Sequence, residues 1–110
     1  MATIDYIYRE FVCSAAFSIM LVPRELNTLQ VCACEVLSCS PELREQDFPE
    51  SLRHEWRTIE DFRQKLSIAQ ARSRNNYCEI PLLTTTDAQK VLDAFATISE
   101  GIARLTEQAA

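Results

Sequence analysis

Cysteine and histidine are the residue types in this sequence that are best suited to chemistry. Cys32, Cys34 and Cys39 lie within eight consecutive residues, and His54, the single histidine, follows them. A thiolate is a strong nucleophile, and a neighbouring histidine can act as the base that activates it. One hypothesis for this chain is therefore a small thiol-dependent enzyme or a redox sensor.

The same cysteines do not form a recognisable metal site. Their spacing, Cys-x-Cys-x4-Cys, differs from the common zinc-binding patterns, and residues two positions apart on a helix point to different sides. Cys13 and Cys78 bring the total to five, and an odd number argues against a framework of disulfides. We expect reduced thiols in a cytoplasmic protein, with no metal ion and no cofactor.

Other catalytic patterns are absent from the sequence. A phosphate-binding loop needs several glycines, and the chain contains only Gly101. There is no Gly-x-Ser-x-Gly motif and no His-Glu-x-x-His motif. His54 lies two positions from Trp56 within a helical pattern, which is typical of a partly exposed helix residue. We therefore predict no catalytic residues and a protein that is not an enzyme.

The charge of the chain limits its partners. The 16 acidic and 11 basic residues give a formal net charge of -5 at pH 7. Nucleic acids and anionic membranes repel an acidic chain, so we expect neither as the main partner. The one basic and polar stretch contains Arg72, Arg74, Asn75 and Asn76. It is a candidate polar contact loop, and it leaves a ligand-binding or nucleic-acid-binding protein as a further alternative.

The hydrophobic pattern that must position these residues is helical along most of the chain. It predicts an all-α four-helix bundle that forms one domain over residues 1–110. The predicted helices cover about residues 3–21, 24–38, 49–73 and 86–108, with a short helical turn near 41–46. Residues 72–83 connect the last two helices, and we interpret their apolar end, residues 77–83, as an extended strap that lies over the bundle.

The first predicted helix contains a long uncharged stretch. Between Phe11 and Val22 there is no Asp, Glu, Lys or Arg. This stretch is too short to cross a membrane, which takes about 20 apolar residues. A helix that is apolar nearly all round is expected at the centre of a core. We therefore predict this helix to be the most buried of the four.

Proline, serine and threonine mark the predicted helix starts. Pro23 and Pro49 each stand where a first helical turn accepts proline. Ser40, which precedes another proline, has the form of an N-cap. Thr86 is predicted to cap the last helix, with Gln89 completing a capping box. These positions set the helix boundaries given above.

The last predicted helix carries an apolar stripe at intervals of three and four residues. Its residues Phe95, Ile98, Ile102 and Leu105 suit an interface between two chains, and they suit equally the core of a monomer. Gly101 lies within the stripe, although glycine lowers helix stability by up to ~1 kcal/mol. We expect another helix to approach closely there, and we take the four apolar residues as the candidate interface.

Two runs of sequence carry a family resemblance. Residues 47–56 (DFPESLRHEW) and residues 82–92 (LLTTTDAQKVL) resemble the helix starts of a group of short, all-helical bacterial proteins. In that group a Pro-Glu-x-Leu-Arg-x-Glu-Trp helix start precedes a capped C-terminal helix. The matching residues are mostly caps and core positions. The resemblance therefore implies an all-helical fold and a bacterial origin, and it assigns no functional residues.

These observations favour a protein that acts through its surface. We predict a non-enzymatic protein–protein interaction module, a small acidic accessory or regulatory protein of the antitoxin-like or immunity-like kind. Its partner is another protein, a second copy of the chain, or both. The alternatives are the thiol-dependent enzyme or redox sensor and the ligand-binding or nucleic-acid-binding bundle.

Overall fold

The structure is a computed structural model, and it describes residues 3–39, 42–72 and 83–109. In these ranges it contains four helices and no strand, so the prediction of an all-α fold is confirmed. The helices are α1 (residues 4–20), α2 (Leu29–Ser38), α3 (Arg53–Arg72) and α4 (Thr85–Ala109). The connections contain short 3-10 turns at Arg24–Leu26, Glu45–Asp47 and Glu50–Leu52.

Helix α1 contains a π-helical segment. It consists of an α-helical turn, a π segment and a second α-helical part, at Ile4–Ile7, Tyr8–Cys13 and Ser14–Met20. Ile7, Phe11 and Ala15 are four residues apart, and none of their surface is exposed. An α-helix turns once in 3.6 residues, so residues four apart drift around it, and the wider π turn reduces that drift. The π segment therefore keeps these three core residues on one face.

Helix α2 begins later than the sequence predicts. Pro23 precedes a single 3-10 turn at Arg24–Leu26, and the α-helix starts only at Leu29. Thr28 has an extended backbone, and its Oγ1 accepts a hydrogen bond from the Val31 amide at 3.2 Å. The predicted start at residue 24 is wrong because Thr28 provides a side-chain cap and the residues after Pro23 do not.

Helix α3 confirms the predicted third helix, with a different first turn. Pro49 precedes the 3-10 turn Glu50–Leu52, and the α-helix begins at Arg53. The predicted helical turn near 41–46 lies at Glu45–Asp47, where Asp47 accepts a hydrogen bond from the Arg44 amide at 2.8 Å. The predicted cap at Ser40 lies outside the described residues.

Helix α4 is capped by a different threonine from the predicted one. Thr84 Oγ1 accepts a hydrogen bond from the Asp87 amide at 3.0 Å, and the helix begins at Thr85. Thr86 therefore lies inside the first turn, and its prediction as the cap is wrong. Gln89 does not complete a capping box, since its side-chain amide donates to Asp93 at 2.8 Å. Most of the predicted strap before this helix, residues 77–82, lies outside the described residues.

Aromatic rings from three parts of the chain form the centre of the core. Phe11 contacts Trp56 and Phe95 edge-to-face, with ring centroids 5.2 and 5.4 Å apart. Phe48 stacks on Trp56 with the ring centroids 4.6 Å apart. Such ring pairs stabilise a core beyond the burial of their area. Trp56 thus anchors the core, and only 1% of its surface is exposed.

The 3-10 turn before α3 approaches α4 closely at Gly101. A Cβ atom at this position would lie 2.9 Å from Leu52 Cδ1, nearer than carbon atoms normally pack. Glycine therefore allows the leucine side chain to rest against the backbone of α4. A close approach at Gly101 is confirmed, but the approaching element is the 3-10 turn Glu50–Leu52 and not one of the other long helices.

Candidate protein-binding surface

The apolar stripe of α4 lies within the core of a single chain. Ile98 and Ile102 have no exposed surface, Phe95 is buried against Phe11, and Leu105 is half-buried. These four residues were the candidate interface in the sequence. In the structure the first three pack within one chain, so they do not offer a binding surface there.

Cys32, Cys39 and His54 contact different parts of the described structure. Cys32 Sγ donates to Asn27 Oδ1 at 3.1 Å, and Cys39 Sγ donates to the Glu10 carbonyl at 3.5 Å. Burial raises the pKa of the Cys39 thiol, which lowers its thiolate fraction at neutral pH. His54 is exposed on α3 and faces an open cleft instead. The cysteines in the described part of the chain form no disulfide.

A polar cleft lies beside His54. It lies between α3 and α4, has a volume of about 310 Å³ and is open to solvent, and its lining consists of His54, Glu55, Thr58, Lys90, Asp93, Ala94 and Thr97. The hydroxyls of Thr58 and Thr97 donate to carbonyls of their own helices. Ligand sites usually enclose their ligand in mainly apolar walls. This shallow, polar cleft therefore supports ligand binding weakly.

The structure adds nothing in favour of a metal site or of the polar contact loop. Within the described residues, no group of three or more His, Cys, Asp or Glu side chains is arranged to hold a metal ion. The candidate polar contact loop, Arg72, Arg74, Asn75 and Asn76, lies outside the described residues, apart from the backbone of Arg72 at the end of α3.

Large apolar side chains are exposed at the end of α1 and in the connection that follows it. The exposed fractions are 60% for Phe17, 79% for Met20, 65% for Leu21, 58% for Leu26 and 39% for Leu29. We call these five residues the apolar tip. Two aromatic or aliphatic side chains at the surface are ordinary, but a group of five within thirteen residues is the kind of feature that marks an interaction site.

The fold brings the apolar tip to one end of the helix pair α1 and α2. Phe17, Met20 and Leu21 are three and four positions apart on a helix, so they are neighbours on one side of α1. The Cys39–Glu10 hydrogen bond places the end of α2 beside the middle of α1. The two helices are therefore antiparallel, and Leu29 at the start of α2 lies at the same end of the pair as Leu21.

The exposure of the apolar tip contradicts the prediction that the first helix is the most buried of the four. Ala15 and Ile19 point towards the core side of α1, and Phe17 and Met20 lie on the opposite side. Helix α1 packs against α2 and α4 on one side only, and the described residues leave the other side exposed. The charge-free run from Phe11 to Val22 was the sequence signal for this surface, because an exposed helix face normally carries charged residues.

Comparison of the chain with protein-family models, with curated proteins and with solved structures gives no match. Within the described residues, none of the helices has the length and apolar character that crossing a membrane requires.

Proposed function

We propose that this chain is a non-enzymatic protein–protein interaction module that binds a protein through the apolar tip. The exposure of Phe17, Met20 and Leu21 on one side of α1 carries the proposal. In water these side chains are unfavourably solvated, and a protein surface that covers them removes that cost. A small acidic accessory or regulatory protein in the cytoplasm, of the antitoxin-like or immunity-like kind, fits this mode of action.

The apolar tip is large enough to support binding. Its five side chains expose on the order of 500 Å² of apolar surface, at the upper end of what a monomeric protein displays. Burial of that surface contributes roughly 25 cal/mol per Å², or about 12 kcal/mol as an upper bound. Association costs about 4–15 kcal/mol in lost freedom. The two magnitudes are comparable, so we expect a moderate affinity rather than a permanent complex.

The alternatives have weaker support. A redox or thiol-dependent mechanism needs an accessible thiolate beside an activating group, whereas burial raises the pKa of Cys39 and Cys32 is hydrogen-bonded to Asn27. A ligand-binding function rests on the cleft beside His54, which is open and polar. The five exposed apolar side chains support a protein-binding surface more strongly than these observations support either alternative.

Site-specific photo-cross-linking tests the proposal in cells that produce the protein. A photoreactive phenylalanine analogue replaces Met20 in one variant and Arg57 in a control variant. Both positions are exposed, but Arg57 lies on α3, where it forms an ion pair with Glu45. We expect protein adducts from position 20 and few from position 57. Equal yields at the two positions would overturn the proposed binding surface.

A further inference from the structure

We propose that the protein bound at the apolar tip is a second copy of this chain, related to the first by a two-fold axis, with the two α1 helices antiparallel. This inference rests on the proposed function, because it names the occupant of the same surface. Three properties of that surface support it: the order of small and large side chains along α1, the distribution of charge, and the area.

Side-chain size makes the exposed side of α1 complementary to itself. Cys13, Ala16, Phe17 and Met20 are all exposed, and they are spaced three, one and three residues apart, so that they form one stripe. A two-fold axis between residues 16 and 17 places Cys13 opposite the partner's Met20. It also places Ala16 opposite the partner's Phe17. Each large side chain then meets a small one, as close packing of two helices requires.

Charge permits two copies to meet here, although each copy has a formal net charge of -5. The stripe contains no charged residue, so its centre brings no like charges together. Arg9 and Glu10 stand at one end of the stripe, and Arg24 and Glu25 stand beyond the other, all four exposed. In the antiparallel arrangement each end offers both signs of charge to the opposite end of the partner helix. Like charges on surfaces elsewhere are screened by salt.

The area agrees with a weak, reversible dimer. Each apolar tip contributes on the order of 500 Å², and the small residues of the stripe and a polar rim add to it, so the dimer buries roughly 1,200 Å² in total. This area is the lower limit for a specific interface. A two-fold contact uses the same patch on both chains, so no second binding surface is needed. We therefore expect monomer and dimer to exchange with concentration.

Disulfide trapping tests the register of the two helices. In the variant Met20→Cys, the new thiol lies opposite the partner's Cys13. Diamide then oxidises the two thiols to one disulfide and takes up the two electrons and two protons that they lose. We expect a covalent dimer in which peptide mapping identifies links between residues 13 and 20 of different chains. The wild-type chain should not form this link, because its two Cys13 side chains lie about 10 Å apart along the helix axis.

The matched control is the double variant Cys13→Ser, Met20→Cys. We expect it to lose the covalent dimer, since its thiol at position 20 then faces serine. A dimer that forms equally well through two residues at position 20 would overturn the antiparallel packing. Mapping the linked peptides also separates this bond from any bond formed by the other cysteines.

Mass measurement tests the second copy without any cross-link. In sedimentation equilibrium over a series of concentrations, the wild-type chain of 12.6 kDa should approach twice its monomer mass, whereas Phe17→Glu should remain a monomer with unchanged helical circular dichroism. A wild-type chain that stays monomeric overturns this inference. If position 20 nevertheless forms adducts with a different protein in cells, the proposed function stands. If position 20 forms no adducts, or adducts only within its own chain, both proposals fail.

Discussion

The guanidinium group of Arg63 lies over the ring of Trp56, with its central carbon 5.3 Å from the ring centroid. From this position its Nε donates to the Leu37 carbonyl at 3.1 Å, and its Nη2 donates to the Cys39 carbonyl at 2.8 Å. The last carbonyls of a helix have no partner within the helix. Arg63 therefore joins the C-terminal end of α2 to α3, and a cation at this end also interacts favourably with the helix dipole.

We expect Arg63→Ala to lower the free energy of unfolding by about 2–4 kcal/mol, because it leaves two carbonyls without their charged donor and removes a cation from the ring of Trp56. Urea denaturation followed by circular dichroism measures the change. Arg57→Ala is the matched control on the same helix, since its ion pair with Glu45 is exposed and contributes ~0–1 kcal/mol. Equal losses in the two variants would contradict the role assigned to Arg63.

Two threonines of the α4 start provide a test of the capping geometry. Thr84→Ala removes the oxygen that accepts from the Asp87 amide, so we expect a loss of about 1 kcal/mol in the free energy of unfolding. Thr86→Ala changes an exposed residue inside the first turn, so we expect a change within about 0.5 kcal/mol. Thermal and urea unfolding of both variants distinguish the two positions. A larger effect at Thr86 would indicate that Thr86 is the cap, as the sequence predicted.

The reactivity of Cys39 should depend on pH in a specific direction. Burial raises the pKa of its thiol above the ordinary value of 9.0, although a hydrogen bond with Ser14 and the charge of Arg63 act against the increase. The folded chain therefore favours the protonated thiol. Alkylation of Cys39 by iodoacetamide, followed by peptide mass spectrometry, should rise at a higher pH in the folded chain than in urea. An identical profile in both states would contradict this expectation.

The same shift has a consequence for stability. Because the pKa is higher in the folded chain, protonation of Cys39 stabilises that state at every pH below the ordinary value of 9.0. The contribution is lost as the pH rises through the folded pKa. Cys39→Ser, whose hydroxyl does not titrate in this range, is the control. The difference in unfolding free energy between wild type and this variant should decrease above pH 9.

Substitution of two phenylalanines in α1 tests which side of this helix faces the core. Phe11→Ala creates a cavity beside Trp56 and Phe95, so we expect a loss of about 3–5 kcal/mol. Phe17→Ala truncates a largely exposed ring, so we expect a loss below about 1 kcal/mol when the chain is dilute. Urea unfolding at low concentration measures both. A severe loss in the Phe17 variant would indicate that the ring is part of the core.

Local patterns in the sequence predicted the helices and much of the core. The stripe of α4, the anchor Trp56 and the close approach at Gly101 follow from residue type and helical spacing. The prediction about the burial of α1 failed for a specific reason. Periodicity identifies the apolar side of a helix, but tertiary packing decides which sides find neighbours, and this left Phe17 and Met20 exposed.

Local sequence patterns also could not predict contacts between distant parts of the chain. Arg63 lies 24 and 26 residues from the carbonyls that it binds, so no local motif indicates its role. Thr28 and Thr84 are good cap residues, but each stands near other candidates, Pro23 and Thr86. Choosing between such neighbours requires the backbone conformation, which sequence alone leaves open.

The π segment Tyr8–Cys13 determines the rotational phase of everything that follows it in α1. If these six residues formed regular α-helix instead, the part of α1 that follows would be rotated relative to the part before it, because a residue of an α-helix advances by about 100° and a residue of the wider π turn advances by less. Ile7 and Ala15 would then no longer face the core together. A single wide turn thus determines which side of α1 faces the core. The exposure of Phe17 therefore depends on the backbone geometry of residues that precede it in the helix.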